Sequence, residues 1–65
     1  MMLIVNGETL EAQSSNLAAL LAELGYEGEW IATAINGEVV ASRQRQETAL
    51  ADGDRVEVLT PRQGG

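Results

Sequence analysis

The sequence predicts an α+β fold in which a mixed five-stranded sheet, two hairpins plus a C-terminal strand, packs on one α-helix. Three observations carry this expectation. Two Asn-Gly dipeptides, Asn6-Gly7 and Asn36-Gly37, each lie between short strand-like runs; Leu17, Leu20, Leu21 and Leu24 recur at helical spacing; and Arg55 to Thr60 alternates polar with apolar residues.

Met1 to Val5 is an apolar strand-like run, and Asn6-Gly7 supplies a two-residue turn because both residue types tolerate positive φ. Glu8 to about Gln13 returns as the second strand. Ser14, Ser15 and Asn16 offer N-cap oxygens to the leucine helix, and Gly25 provides its left-handed stop. Ala18, Ala19 and Ala22 favour that helix at little entropic cost, but a single short helix is marginal alone, so its leucine stripe has to be buried against the sheet. A loop holding Tyr26, Gly28 and Trp30 leads to Ile31-Ala32-Thr33-Ala34-Ile35, then to the second Asn-Gly turn and Glu38-Val39-Val40. Ala41 to Ala51 is polar and lacks a clear period, which predicts a crossing loop with room for one helical turn. Asp52-Gly53-Asp54 turns the chain into its last strand. Pro61 cannot donate a ladder hydrogen bond and ends that strand, giving a folded domain over residues 1–60 and a flexible tail over 61–65.

One helix covers one face of the sheet, so the other face meets water or a partner. Alternation places Leu3, Val5, Ile31, Ile35, Val56 and Val58 on the helix side and Met2, Ile4, Ala32, Ala34, Glu57 and Leu59 on the open side, where a modest apolar patch is expected.

Composition narrows the chemistry. The chain of 65 residues contains no cysteine and no histidine, and its four basic residues are all arginine. A chain this short buries a modest core and leaves little room for a deep pocket, while the residue types that usually serve as nucleophile or general base are missing. Self-contained catalysis and a cysteine/histidine metal site are therefore not expected. Ten acids against four bases give a formal charge of −6, which opposes nucleic-acid and anionic-membrane binding and suits a partner with a basic docking face, although acidity also serves solubility alone. The apolar start stops at Asn6-Gly7-Glu8, far short of a signal sequence or membrane span, so a cytoplasmic protein is expected.

Among candidate sites, Asp52 and Asp54 flank Gly53 and read as a β-turn ahead of a cation site. Arg43 and Arg45 read as part of a solvated loop ahead of an anion site. Tyr26 and Trp30, beside the helix end, read as closing the core ahead of anchoring a partner. Gly64-Gly65 differs in kind: without Cβ atoms the dipeptide threads a narrow channel and presents an unhindered carboxylate. Five extended residues beyond Thr60 reach roughly 17 Å, enough to enter another enzyme's site while the domain docks outside.

In this order and length, the sequence resembles the ubiquitin-like β-grasp sulfur carriers, most closely those of thiamin (thiazole) biosynthesis in the wider ThiS/MoaD-like family. The resemblance is carried by Val5-Asn6-Gly7-Glu8, the helix Leu17 to Gly25, Ile35 to Val40, Leu50 to Val58, and Gly64-Gly65. It implies that an E1-like adenylyltransferase (ThiF/MoeB-like) uses ATP to form an acyl-adenylate at Gly65. Sulfur from a donor such as a cysteine desulfurase then makes a thiocarboxylate, which a thiazole synthase (ThiG-like) consumes. On this reading the protein is a co-substrate with no catalytic residue and no bound cofactor; Gly64 and Gly65 form the reacting tail, and Ile4, Leu59 and Arg62 contribute to docking. Arg62-Gln63 is more polar than the small or apolar residues associated with this tail. Three rival readings remain at this point: a molybdopterin-synthase small-subunit-like carrier, a ubiquitin-like modifier conjugated through Gly65, and a plain interaction module using the open face. The chain's lack of lysine slightly favours a carrier over a modifier, since it excludes chains built on the protein's own lysines.

Overall fold

Both Asn-Gly dipeptides adopt the conformation that their chemistry favours: Asn6 and Asn36 have φ of 50° and 51°, and the following glycines 86° and 88°. This succession of positive φ values gives the tight turn whose twist matches the flanking strands. The computed structural model describes residues 1–26 and 30–60. Within them β1 (Met2–Val5) pairs antiparallel with β2 (Glu8–Glu11), and β3 (Ala32–Ile35) pairs antiparallel with β4 (Glu38–Val40). The last strand, β5 (Arg55–Leu59), inserts between the hairpins, parallel to β1 and antiparallel to β3, so the order is β2-β1-β5-β3-β4. The expected mixed five-stranded sheet with one helix is the observed architecture. β2 is shorter than expected and stops at Glu11.

The helix α1 spans Leu17–Glu23, one residue short of the expected Leu24, which instead forms its C-cap. Asn16 is the N-cap; its side-chain oxygen accepts from the Ala19 amide at 2.8 Å, satisfying one of the first-turn donors that an α-helix leaves unpaired. Gly25, at φ 87°, provides the left-handed exit. Leu17, Leu20 and Leu21 are buried against Leu3, Val5, Val56 and Val58 from the sheet, so the leucine stripe and the inward strand positions form one core. Ile31 joins that core, and Ile35 packs on its edge.

The polar stretch after β4 contains a 3₁₀-helix, Ser42–Glu47, in place of the expected single helical turn, and it is tied down on both sides. Leu17 donates its amide to the Thr48 carbonyl at 2.9 Å, and Leu50 donates to the Ser15 carbonyl at 3.0 Å. Leu50 itself is buried, which anchors a crossing segment that hydropathy patterning alone left without an inward residue.

Two expectations fail here. Trp30 is 80% exposed and does not close the core. The buried residue is its neighbour Ile31, which continues ahead of β3 the alternation that leaves Ala32 exposed and Thr33 buried. Tyr26 does pack on the core edge, as expected. Arg45 is likewise not part of a solvated loop: the 3₁₀ turn places it beneath β3 with 7% exposure. Its Nη2 donates to the Ile31 carbonyl at 2.7 Å and its Nε to Thr33 Oγ1 at 3.1 Å, while that hydroxyl donates to the Val40 carbonyl at 2.9 Å. A buried charge is tolerable when it is hydrogen-bonded, and here Nε and Nη2 of the guanidinium each find an oxygen. Arg43 stays exposed.

Candidate functional site

The outward positions of the same strands build the candidate site. β3 carries Ala32 and Ala34 on its open side; Ala32 lies opposite Leu59 of β5, and Ala34 lies between Glu57 of β5 and Val39 of β4. Small residues on an inner strand, flanked by larger ones on its neighbours, leave a hollow in the sheet surface. Its volume is about 670 Å³, and its lining includes Ile4, Asn6, Ala32, Ala34, Val39, Arg55, Glu57 and Leu59. Leu59 and Val39 are 68% and 84% exposed, so the hollow has an apolar rim facing solvent. Arg55 and Glu57 add one charge of each sign.

Ile4 and Leu59, expected as docking residues, both line this hollow, from the neighbouring strands β1 and β5. Arg62, Gly64 and Gly65 lie outside the described residues. Val39 and Arg55 were not among the expected site residues. The signal for both was alternation: Val39 is the outward position between Glu38 and Val40, and Arg55 precedes inward Val56.

β5 ends at this site. Because β5 runs parallel to β1, Leu59 emerges at the sheet end that also holds the Asn6-Gly7 turn and Ala32, the first residue of β3. Exposed Trp30 lies two residues ahead of Ala32, at that same end.

Several other titratable groups serve the fold. Asp52 Oδ1 accepts from the Met2 amide at 2.8 Å, Asp54 Oδ2 from the Ala51 amide at 2.8 Å, and Asp54 Oδ1 from Asn36 Nδ2 at 3.0 Å. This is the turn role expected for that pair. Among the described residues no three His, Cys, Asp or Glu side chains cluster to hold a metal. Glu23 accepts from the Ser14 hydroxyl at 2.6 Å and from the Gln13 amide, and these hydrogen bonds hold its carboxyl below the usual glutamate value. The Met1 ammonium donates to Glu11 Oε2 at 2.8 Å and to the Ala12 carbonyl at 2.9 Å; the Glu11 contact raises its pKa despite a smaller opposing effect of desolvation. No helix among the described residues is long and apolar enough to cross a membrane.

The fold has counterparts among known proteins. The sulfur carrier protein ThiS of Thermus thermophilus is 34% identical over 64 residues, covering 98% of this chain and all of the relative. The crystal structure of the thiamine biosynthesis protein ThiS from Geobacter metallireducens superposes with a TM-score of 0.83 at 33% identity, with both chains covered completely. The solution structure of a thiamine biosynthesis protein from the same organism gives 0.81 at 36% identity, covering all of this chain and 88% of the other. The ThiS family model matches residues 3–65, from the first buried residue of β1 through the diglycine. With an outer sheet face left open beside the root of its C-terminal segment, this chain belongs to the ThiS family of β-grasp proteins.

Proposed function

We propose that this chain is the sulfur carrier of thiazole formation in thiamin biosynthesis, acting as a protein co-substrate through Gly65. The observation that carries the reading is the ThiS-family match, which extends over residues 3–65 and so includes Gly64-Gly65. The Gly65 carboxylate attacks the α-phosphorus of ATP in the site of an E1-like adenylyltransferase, releasing pyrophosphate and forming an acyl-adenylate. The terminal sulfur of a persulfide attacks the acyl carbon and expels AMP. A thiol then cleaves the resulting S–S bond, leaving a thiocarboxylate at Gly65 from which a thiazole synthase takes sulfur. ATP belongs to the partner, and this chain supplies no catalytic side chain.

The geometry supports a division of labour. The hollow around Ile4 and Leu59 offers exposed apolar surface for docking, and Arg62, three residues after Leu59 in the sequence, is assigned to the same role. Gly64, having no side chain, lets the end enter the partner's site. The protein operates in the cytoplasm, where ATP and the persulfide donor are at hand. The test is reconstitution: the full chain, an E1-like adenylyltransferase, ATP and a cysteine desulfurase with cysteine, followed by intact mass. Replacement of one oxygen by sulfur is expected. A chain that returns unmodified, or that appears as an amide conjugate to another protein, contradicts the reading.

A further inference from the structure

The two Asn-Gly turns have a second role, because each asparagine side chain pairs with β5. β1 reaches β5 through only two register pairs, Ile4 with Arg55 and Val5 with Val56, before the chain turns away at Asn6-Gly7. The Asn6 backbone amide makes the last main-chain bond, to the Val56 carbonyl at 2.9 Å. Beyond it, Val58 faces a strand that has ended. The Asn6 carboxamide takes the place of the missing peptide: its Oδ1 accepts from the Val58 amide at 2.8 Å, and its Nδ2 donates to the Val58 carbonyl at 3.2 Å. The Tyr26 hydroxyl, 3.4 Å from the same Nδ2, adds a long third contact. The orientation of the amide follows from this pairing, since only one arrangement sets donor against acceptor at both ends.

Asn36 makes the corresponding clamp at the other end of β5. Its Oδ1 accepts from the Arg55 amide at 3.0 Å, and its Nδ2 donates to Asp54 Oδ1 at 3.0 Å. One asparagine thus holds the strand where it begins, and the other where the C-terminal segment departs.

We propose that Asn6 is a positioning residue for the reaction at the carboxyl terminus. By pairing both peptide groups of Val58, it fixes the last residues of β5 and so the point and direction from which the C-terminal segment reaches a partner's active site. This rests on the reading of Gly65 as the reacting end. An enzyme that works on the tip of a segment depends on where that segment starts, because a displacement on the order of 1 Å at a reacting atom costs up to about 100-fold in rate.

The test compares two glycine variants that keep the positive φ each turn requires. With an E1-like adenylyltransferase and ATP, adenylation of full-length Asn6→Gly is expected to show kcat reduced about tenfold, a larger factor than any rise in KM, the signature of lost positioning. Asn36→Gly removes the opposite clamp and should keep kcat within about twofold of the unaltered chain. Asn6→Asp keeps an acceptor for the Val58 amide but sets a carboxylate against its carbonyl, and should fall between the two. Hydrogen exchange should quicken at the Val58 amide in Asn6→Gly and hold at Leu20 in the core. If the unaltered chain is adenylated and Asn6→Gly retains its kcat, or Asn36→Gly loses as much, the positioning role is wrong and the carrier reading stands. If the unaltered chain is not adenylated at Gly65, both are wrong.

Discussion

The two faces of the sheet are made by alternate residues of the same strands, yet they carry opposite designs. The helix side gathers Leu3, Val5, Val56 and Val58 beneath Leu17, Leu20 and Leu21, and those side chains are almost wholly withdrawn from water. The open side presents Ile4, Ala32, Ala34 and Leu59 around a hollow that nothing among the described residues fills. The first arrangement is what burial requires of a small fold without disulfides or metal. The second leaves exposed apolar surface that stability alone does not require, which supports the docking role proposed for it. On the proposed reading folding and docking are separable by face, and substitutions can be chosen to move one without the other.

The largest effect on folding is expected inside. Leu20→Ala should lower unfolding stability by about 2–5 kcal/mol, measured by urea denaturation, because it opens a cavity in a core with little room to collapse. Arg45→Met comes next. It strips the Ile31 carbonyl and the Thr33 hydroxyl of a charged donor and should cost about 1–3 kcal/mol in the same assay. Leu59→Ala should reverse the pattern: stability within about 0.5 kcal/mol of the parent, but KM for an E1-like adenylyltransferase raised about tenfold. Trp30→Ala should also leave stability within about 0.5 kcal/mol, whereas a core tryptophan would cost several.

The smallest effects are electrostatic and lie at the domain's rim. The folded α-amine of Met1 titrates above its ordinary value, so its contribution is fully present below that value and is lost as pH rises through the raised one. Glu23 titrates below its ordinary value, so its contribution is present above that value and is lost as pH falls through the lowered one. Thermal scans should show a slight loss of stability at each extreme. Glu11→Gln should flatten the alkaline arm and Glu23→Gln the acid arm.

Much of this arrangement was legible in the residues. Asn-Gly pairs, an Asn cap with a Gly stop, and period-two or helical spacing are local signals, and the hairpins, the helix and the face assignments followed from them. The misses involve partners distant in sequence. Arg45 reads as a loop charge until β3 is seen above it, offering the Ile31 carbonyl and Thr33 hydroxyl. Trp30 reads as core because tryptophan is large and apolar, but Ile31 occupies the inward position beside it. Asn6 is recognisable as a turn residue, while its pairing with Val58 depends on β5 inserting beside β1, a non-local event that no turn signal contains. At the site, Ile4 and Leu59 were legible from alternation; the hollow they line required the sheet order, which brings the alanines of β3 beside β5.

The central claim is that the folded part is a handle and the reacting atom lies beyond it. The most direct measurement is fragment mass spectrometry of the full chain after incubation with an E1-like adenylyltransferase, ATP and a persulfide donor, run beside a chain lacking Gly65. The account predicts one oxygen-to-sulfur exchange, confined to the fragment ending at Gly65 and absent from the shortened chain. Sulfur found elsewhere in the chain, or full transfer without Gly65, would contradict it.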